Sequence, residues 1–310
     1  MVGEIVYEKP LIFQLRELNA GWMNKLTTGV KSFIDSHNFY PSVFYNENDI
    51  NHPINGIRYA VPDLDNYSGV FVHQDAPDTP IAGFNGIEFR SSITKTIRII
   101  TKAKQLLWTV QDLTHLKPLT PSDYHETPSV QFCGTAVKRA DGSVFTQQVQ
   151  RFNALQALKE SGLEHEINLK IQRFDSGKFI LESGTYLSDE QYWKQMEVHP
   201  YGLSVRGWGN WDYRMYEMLA SGRIPVHINT DDELLFENWI DWDEFIVVVN
   251  NPAKMKAEVE EFHSQFTDNK SLRHHQKQLI KLYHEFLSFP AFCKWFGEYY
   301  EDDFRKWGLE

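Results

Sequence analysis

Short apolar runs alternate with longer stretches of helical period along most of the chain. That alternation predicts parallel sheets covered by helices, because a strand buried on both faces reads as a continuous apolar run. In residues 1–125, Tyr7 to Leu18 and Trp22 to Ser36 are strand and helix segments of mixed period, and Asn46 to Asn55 is polar and loop-like. Ser68 to His73, SGVFVH, predicts a buried strand, with turn chemistry in Asp75 to Pro80, DAPDTP, after it. Ser91 to Lys104 has helical spacing at Ile93, Ile97, Ile100 and Ala103, and Gln105 to Val110, QLLWTV, predicts the next strand. Thr120, Pro121 and Ser122 open a linker running to about Pro128.

The theme then repeats. Val130 to Cys133 predicts a strand, Phe145 to Ser161 a helix with Val149, Phe152, Leu155 and Leu158 repeating, and Ile167 to Phe174 another strand. Ser188 to Met196 predicts a helix, with Ser188 and Gln191 spaced as a capping box and Asp189 and Glu190 in its first turn. Leu203 to Val226, LSVRGWGNWDYRMYEMLASGRIPV, predicts a strand, a Gly-rich loop, a short helix and a second strand. That helix begins near Trp211, with Asn210 or Asp212 as its cap, and Gly222 ends it. Phe245 to Val249 is a further strand, and the tail is helical over Ala253 to Phe266, Ser271 to Leu287 and Pro290 to Trp307.

A chain of 310 residues suits two ordinary domains and can bury a sizeable core. The formal net charge of −11, with no basic stripe, argues against a nucleic-acid binder. The two cysteines, Cys133 and Cys293, supply neither a disulfide framework nor zinc spacing, so a reducing cytoplasm is the expected compartment. Cys133 lies in an apolar run and is expected as a buried small hydrophobe. The opening MVGEIVYEKP lacks a leader's apolar core, and no window approaches ~18 uninterrupted apolar residues, so no spanning helix is expected. Aromatic content is 14%, with nine Trp, which suits a surface that stacks sugar rings but also suits an ordinary core.

The chemistry concentrates after Leu203. A Gly-rich loop feeding a helix N-terminus is an anion site, because free amides and the positive end of the helix dipole face the ligand. The loop holds Arg206, Gly207, Gly209 and Asn210; Arg214 adds a guanidinium fork and Glu217, three on, can accept a pair of hydroxyls. This suits a nucleoside diphosphate. An Arg and a Glu three apart are also what a solvated helix pair looks like, and Trp211, Tyr216, Leu219 and Ala220 read as packing.

The order of parts resembles the C-terminal signature of the exostosin-type glycosyltransferases, family 47. The resemblance rests on Arg206-Gly207, Arg214, Glu217, Ala220, Gly222 and Ile224-Pro225-Val226, then Leu234-Leu235-Phe236, Ile240-Asp241-Trp242 and the Phe245 to Val249 strand, and covers roughly Tyr192 to Val249. Val130 to Gly134, VQFCG, is similar to the first strand and Gly turn of the same domain in bacterial relatives. Arg223 stands where animal members carry a cysteine, and Val205 where a proline is usual. The resemblance implies an α/β GT-B fold: two Rossmann-like domains with parallel sheets facing across a cleft, and a helical C-terminal tail. Residues 1–125 would be the acceptor-side domain, 126–285 the nucleotide-sugar domain, and 286–310 a helix returning to the first. It implies transfer of a sugar, with UDP the expected carrier, to an oligosaccharide or glycan acceptor with inversion. Gly134, Arg206, Asn210, Arg214 and Glu217 would bind the donor, with no metal and no other cofactor. Animal members carry an N-terminal anchor, so its lack here suggests a soluble bacterial or viral form, or a trimmed one.

Inversion requires a base for the acceptor hydroxyl. His73 and Asp75, after SGVFVH, have the right types and place; Asp112 and His115, after QLLWTV, are the second choice. Each is also readable as a polar loop residue or helix cap. Asp63-Leu64-Asp65 and Asp241-Trp242-Asp243 have the spacing of a metal site, but such triplets arise by chance among 42 acidic residues. His274 and His275 read as a solvated helix face. No phosphate-binding P-loop and no Gly-x-Ser-x-Gly elbow occurs. The alternatives are a nucleotide-sugar epimerase on the same fold and a non-catalytic sugar-binding or scaffolding protein.

Overall fold

The computed structural model describes residues 118–207, 209–210 and 212–288, five strands that precede them, and positions 291, 295, 298 and 299. Contacts divide the chain into two compact units: Met1–Asp112 with Asp231–Phe236 and Phe289–Glu310, and Leu113–Thr230 with Glu237–Ser288.

The first unit contains a five-stranded sheet in the order β2-β1-β3-β4-β5. Its strands are β1 (Leu11–Leu15), β2 (Ser42–Asn46), β3 (Val70–His73), β4 (Ile87–Arg90) and β5 (Lys104–Gln105), all paired in parallel. The order reverses between β1 and β3, and a doubly wound sheet opens its ligand crevice beyond the C-terminal strand ends at such a point. His73 is the last residue of β3, in register with Gln14 of β1 and Arg90 of β4. Lys104, assigned to a helix from its spacing, belongs to β5. Asp75, Asp112 and His115 lie outside the described residues, as does most of the tail assigned to Pro290–Trp307.

The second unit carries a six-stranded sheet in the order β11-β10-β9-β6-β7-β8. Its strands are β6 (Ser129–Arg139), β7 (Glu164–Asp175), β8 (Lys178–Ser183), β9 (Tyr201–Ser204), β10 (Ile224–Ile228) and β11 (Val247–Val249). All pairings are parallel except the β7–β8 hairpin, whose turn places Ser176 and Gly177 at φ 50° and 83°. Its helices are α1 (Thr146–Glu160), α2 (Asp189–Val198), α3 (Tyr213–Ser221), α4 (Met255–His263) and α5 (Asn269–Leu282). Val130, Tyr201, Leu203, Leu219, Val226 and Leu272 are all within 2% of complete burial and mark the core between sheet and helices. A largely parallel sheet whose strand order reverses, one in each of two units of the chain, fits the α/β architecture expected of the GT-B class.

Several elements differ from the sequence reading. β6 does not turn at Gly134. It runs on to Arg139, paired with β7 along its whole length, because nothing in a parallel ladder requires a side chain at that position. The buried face of α1 is rotated from its apolar repeat: Gln148, Arg151, Ala154, Leu155 and Leu158 are buried, while Val149 is 40% exposed. Gln148 accepts a hydrogen bond from the Val137 amide of β6, and Arg151 reaches backbone carbonyls, so two polar side chains face the sheet. Phe245 closes a 3-10 turn over Trp242–Glu244 instead of opening β11. Cys133 is half-buried, not fully buried, and its thiol is free. His275 is buried and its Nε2 lies 3.1 Å from the Phe245 carbonyl, which corrects the solvated face expected there.

Pro225 sits in β10 opposite Gly202, before pairing with β11 begins at Val226, so its missing N–H removes nothing from that ladder. Gly202 lets α3 press onto the sheet: a Cβ there would lie 2.2 Å from Met218 Sδ. Arg223 is 1% exposed and its guanidinium donates to the carbonyls of Met196, Glu197, Ser221, Gly222 and Thr120. It ties the ends of α2 and α3 to the chain entering the unit. Burial pushes it down to about 10, against the pull of Glu197. Arg223→Met removes every one of these donors from buried carbonyls and is expected to cost about 3 kcal/mol, read as a lowered denaturation midpoint at unchanged slope.

Candidate active site at the strand crossover

The order of the second sheet reverses between β6 and β9. These strands pair only at Val130↔Tyr201 and Gln131↔Gly202, then part. The loop after β9 and the start of α3 lie at the opening so formed, where a doubly wound sheet binds its ligand.

Asp212, not Asn210, caps α3. Its carboxylate accepts from the Arg214 amide at 3.4 Å and from the Val205 amide at 3.2 Å, which joins the helix start to the end of β9. Gly222 closes the helix in the left-handed region at φ 74°. Asn210 is buried in the loop, where its Oδ1 accepts from Arg206 Nη1 at 2.9 Å and from Thr230 Oγ1 at 2.6 Å, and its Nδ2 donates to the Thr230 carbonyl. Asn210 therefore holds Arg206 in place.

Arg214 and Glu217 are 6% and 8% exposed, which excludes the solvated-pair reading. They do not bond to one another. Arg214 Nε donates to Asp212 at 3.1 Å and Nη1 donates to the Cys133 carbonyl at 2.7 Å, so part of the fork expected to face a phosphate is used within the protein. The guanidinium lies 4.6 Å from the Phe132 ring centre. Gly134 makes this position possible: a Cβ there would fall 2.2 Å from Arg214 Nη1 and 2.9 Å from Phe132. Burial opposes the Arg214 charge, but Asp212, Tyr213 and Tyr192 outweigh it and hold the guanidinium above its ordinary range. Arg214 is a permanent cation here.

Glu217 Oε2 accepts from the Tyr192 hydroxyl of α2 at 2.6 Å. Burial raises Glu217 to about 7, while Tyr192 and Arg214 pull it down and Asp212 pushes it further up. Burial and the Glu217 charge lift Tyr192 well above the usual phenol range, so it stays protonated and donates. The sequence reading missed Tyr192 and Arg151. Arg151 is 7% exposed and held by three carbonyls beside Arg206 and Arg214. Burial and the Arg214 charge push it down to about 9. No local signal marked either residue; only the contacts across elements do.

The crossover thus gathers Arg151, Arg206 and Arg214 against Asp212 and the titrating Glu217. Buried guanidinium groups favour an anion, and a carboxylate beside them favours hydroxyl donors. Gly134, Arg206, Asn210, Arg214 and Glu217 all fall in this one neighbourhood of the second unit. Among the described residues no group of three or more His, Cys, Asp or Glu forms a metal-binding cluster, and no helix is long and apolar enough to cross a membrane. Asp241 precedes the 3-10 turn over Trp242–Glu244.

No protein-family model and no curated protein matches the chain. Similarities to solved structures exist at low identity and low TM-score, and the fold class stands on the two sheets themselves. One is a DNA-modifying β-glucosyltransferase whose substrate is uridine diphosphoglucose, at 12% identity and TM-score 0.46, covering 96% of this chain and 99% of that one. Another is a glycosyltransferase from Rickettsia africae, at 9% identity and TM-score 0.44, covering 96% and 99%. The catalytic domain of starch synthase IV from Arabidopsis thaliana is similar at 10% identity and TM-score 0.42, over 95% of this chain and 73% of that one.

Proposed function

We propose that this protein is a glycosyltransferase of exostosin type, moving a sugar from a nucleotide-sugar to a glycan acceptor. The observation that carries the reading is the crossover site, where Arg206 is buried in the loop after β9 and Arg214 and Glu217 are buried on α3. The arginines neutralise the diphosphate as it leaves, an electrostatic role that needs no metal. Arg214 meets it with the part of its fork left over from Asp212 and Cys133. Glu217, held by Tyr192, accepts hydroxyls of the ribose or sugar. UDP as the carrier, inversion and exostosin membership rest on the sequence resemblance alone.

The acceptor and its base are assigned to residues 1–125. His73, at the C-terminal end of β3 beside the β1–β3 reversal, has the placement a base needs, with Asp75 next to it in sequence and Asp112 or His115 as the second choice. The reaction is tested by incubating the protein with UDP-, GDP- and CMP-sugars and pooled oligosaccharides. The expected result is release of UDP only when an acceptor is present, with a new glycan in the products. Interconversion of the nucleotide-sugar without acceptor would make the protein an epimerase, and binding without turnover would make it a sugar-binding protein.

A further inference from the structure

β8 is the last strand of its sheet, with no strand paired to its outer side among the described residues. All of its residues are exposed, and Ile180 and Leu181 in its middle are 42% and 41% exposed. Folded proteins blunt such edges with charges, prolines and bulges, because an open edge is a template for another strand. β8 is blunted only at its ends. Lys178 follows the turn at Ser176 and Gly177. At the other end the ladder to β7 skips Glu182, since Gln172 pairs with Leu181 and Ile171 with Ser183. Between these points the strand is apolar and pairs with β7 without a break.

We propose that β8 docks a second copy of this chain, whose own β8 lies antiparallel to it, so that the two sheets join across a two-fold axis at Ile180. The pleat places Lys178, Ile180 and Glu182 on one face. Arg173 confirms this, since it is in register with Ile180 and its Nε lies 3.4 Å from Glu182 Oε1. An antiparallel partner centred on Ile180 sets Lys178 of each copy against Glu182 of the other, and Ile180 against its own counterpart. The segment Lys178–Glu182, KFILE, is therefore charge-complementary to itself. A parallel pair in register would set lysine against lysine and glutamate against glutamate. Sliding the antiparallel pair by one or two residues leaves both charges facing uncharged residues. The charges thus select one partner orientation and one register. A contact confined to one strand pair is small, which makes the dimer weak and concentration-dependent.

The inference goes beyond the donor-site reading and does not depend on it. Each copy carries a formal charge of −11, so association is measured in about 0.15 M salt, where repulsion beyond about 8 Å is screened. Sedimentation velocity of the whole chain from about 1 to about 100 μM is expected to show reversible passage from monomer to dimer. Lys178→Glu places like charges in both cross-strand pairs of the dimer, and so does Glu182→Lys. Each variant alone is expected to associate about tenfold more weakly than the wild type. Mixed in equal amounts, the two variants complement one another, and association should return to within a few-fold of the wild type. Melting points recorded alongside show that both variants keep the fold. A wild type still monomeric at about 100 μM would overturn the proposal. So would single variants that associate as tightly as the wild type, or a mixture no tighter than its components, since the copies would then meet elsewhere.

Discussion

Arg214→Lys is expected to lower kcat/KM for donor turnover by about a hundredfold. The lysine keeps a positive charge beside Asp212, which is 9% exposed and takes Arg214 Nε at 3.1 Å. It loses the contact to the Cys133 carbonyl, and with it the remaining guanidinium nitrogen that the proposed function gives to the diphosphate. Since Arg214 would meet the diphosphate both in the bound state and as it leaves, the loss should fall on nucleotide affinity and on kcat together. Arg214→Ala is the poorer test. Removing one partner of a buried pair costs about 3–5 kcal/mol of stability, so lost activity there mixes folding with chemistry. Turnover of Arg214→Lys within a few-fold of wild type would remove Arg214 from the site.

The second large effect is on pH. Glu217 is raised well above the ordinary carboxylate range to about 7, chiefly by burial. The groups facing it are Tyr192 from α2, Arg214 and Asp212 from the start of α3, and Cys133 from β6. Ionised Glu217 accepts hydroxyls and protonated Glu217 gives up an acceptor, so nucleotide affinity is expected to rise from about pH 6 to about pH 8. Glu217→Gln should bind weakly with a flat profile. Tyr192→Phe should shift the midpoint upward, because its hydroxyl lowers the Glu217 pKa. Stability runs the other way. The folded pKa lies above the unfolded one, so the contribution from this group is full below about pH 4.5. It is lost as pH climbs to about 7, with a total of about 3 kcal/mol at most. Glu217→Gln should remove that slope from a denaturation series. A binding profile independent of pH in the wild type would show that Glu217 does not meet the ligand in its ionised form.

Local signals survived the passage from sequence to structure. Ser188 and Gln191 form the capping box, Gly222 ends α3, and the Ile224–Pro225–Val226 run begins β10. These features depend on a few neighbouring residues, so spacing is enough to place them. The Arg206–Glu217 stretch was legible for the same reason: one loop and one helix carry it.

What escaped depends on contacts between distant segments. β8 was invisible because all six of its residues are exposed and it exists only as a partner for β7. Arg151 was hidden because an apolar repeat placed the buried face of α1 one residue away, and the partners of Arg151 lie 16, 54 and 55 positions along the chain. Tyr192 meets Glu217 across 25 positions. Arg223 stood out as a departure from the cysteine of animal exostosin-type enzymes, yet its five carbonyl partners could not be foreseen from that difference.

The central claim is that the crossover between β6 and β9 binds a nucleoside diphosphate through its arginines. It is tested most directly by the melting point of the wild type and of Arg214→Lys in the presence of UDP, GDP and CMP, since a ligand that binds only the folded chain raises its melting point. The account predicts a clear rise with UDP in the wild type, a much smaller one with CMP, and little rise with any of them in Arg214→Lys. The same UDP-induced rise in both proteins, or none with any nucleotide in the wild type, would contradict it.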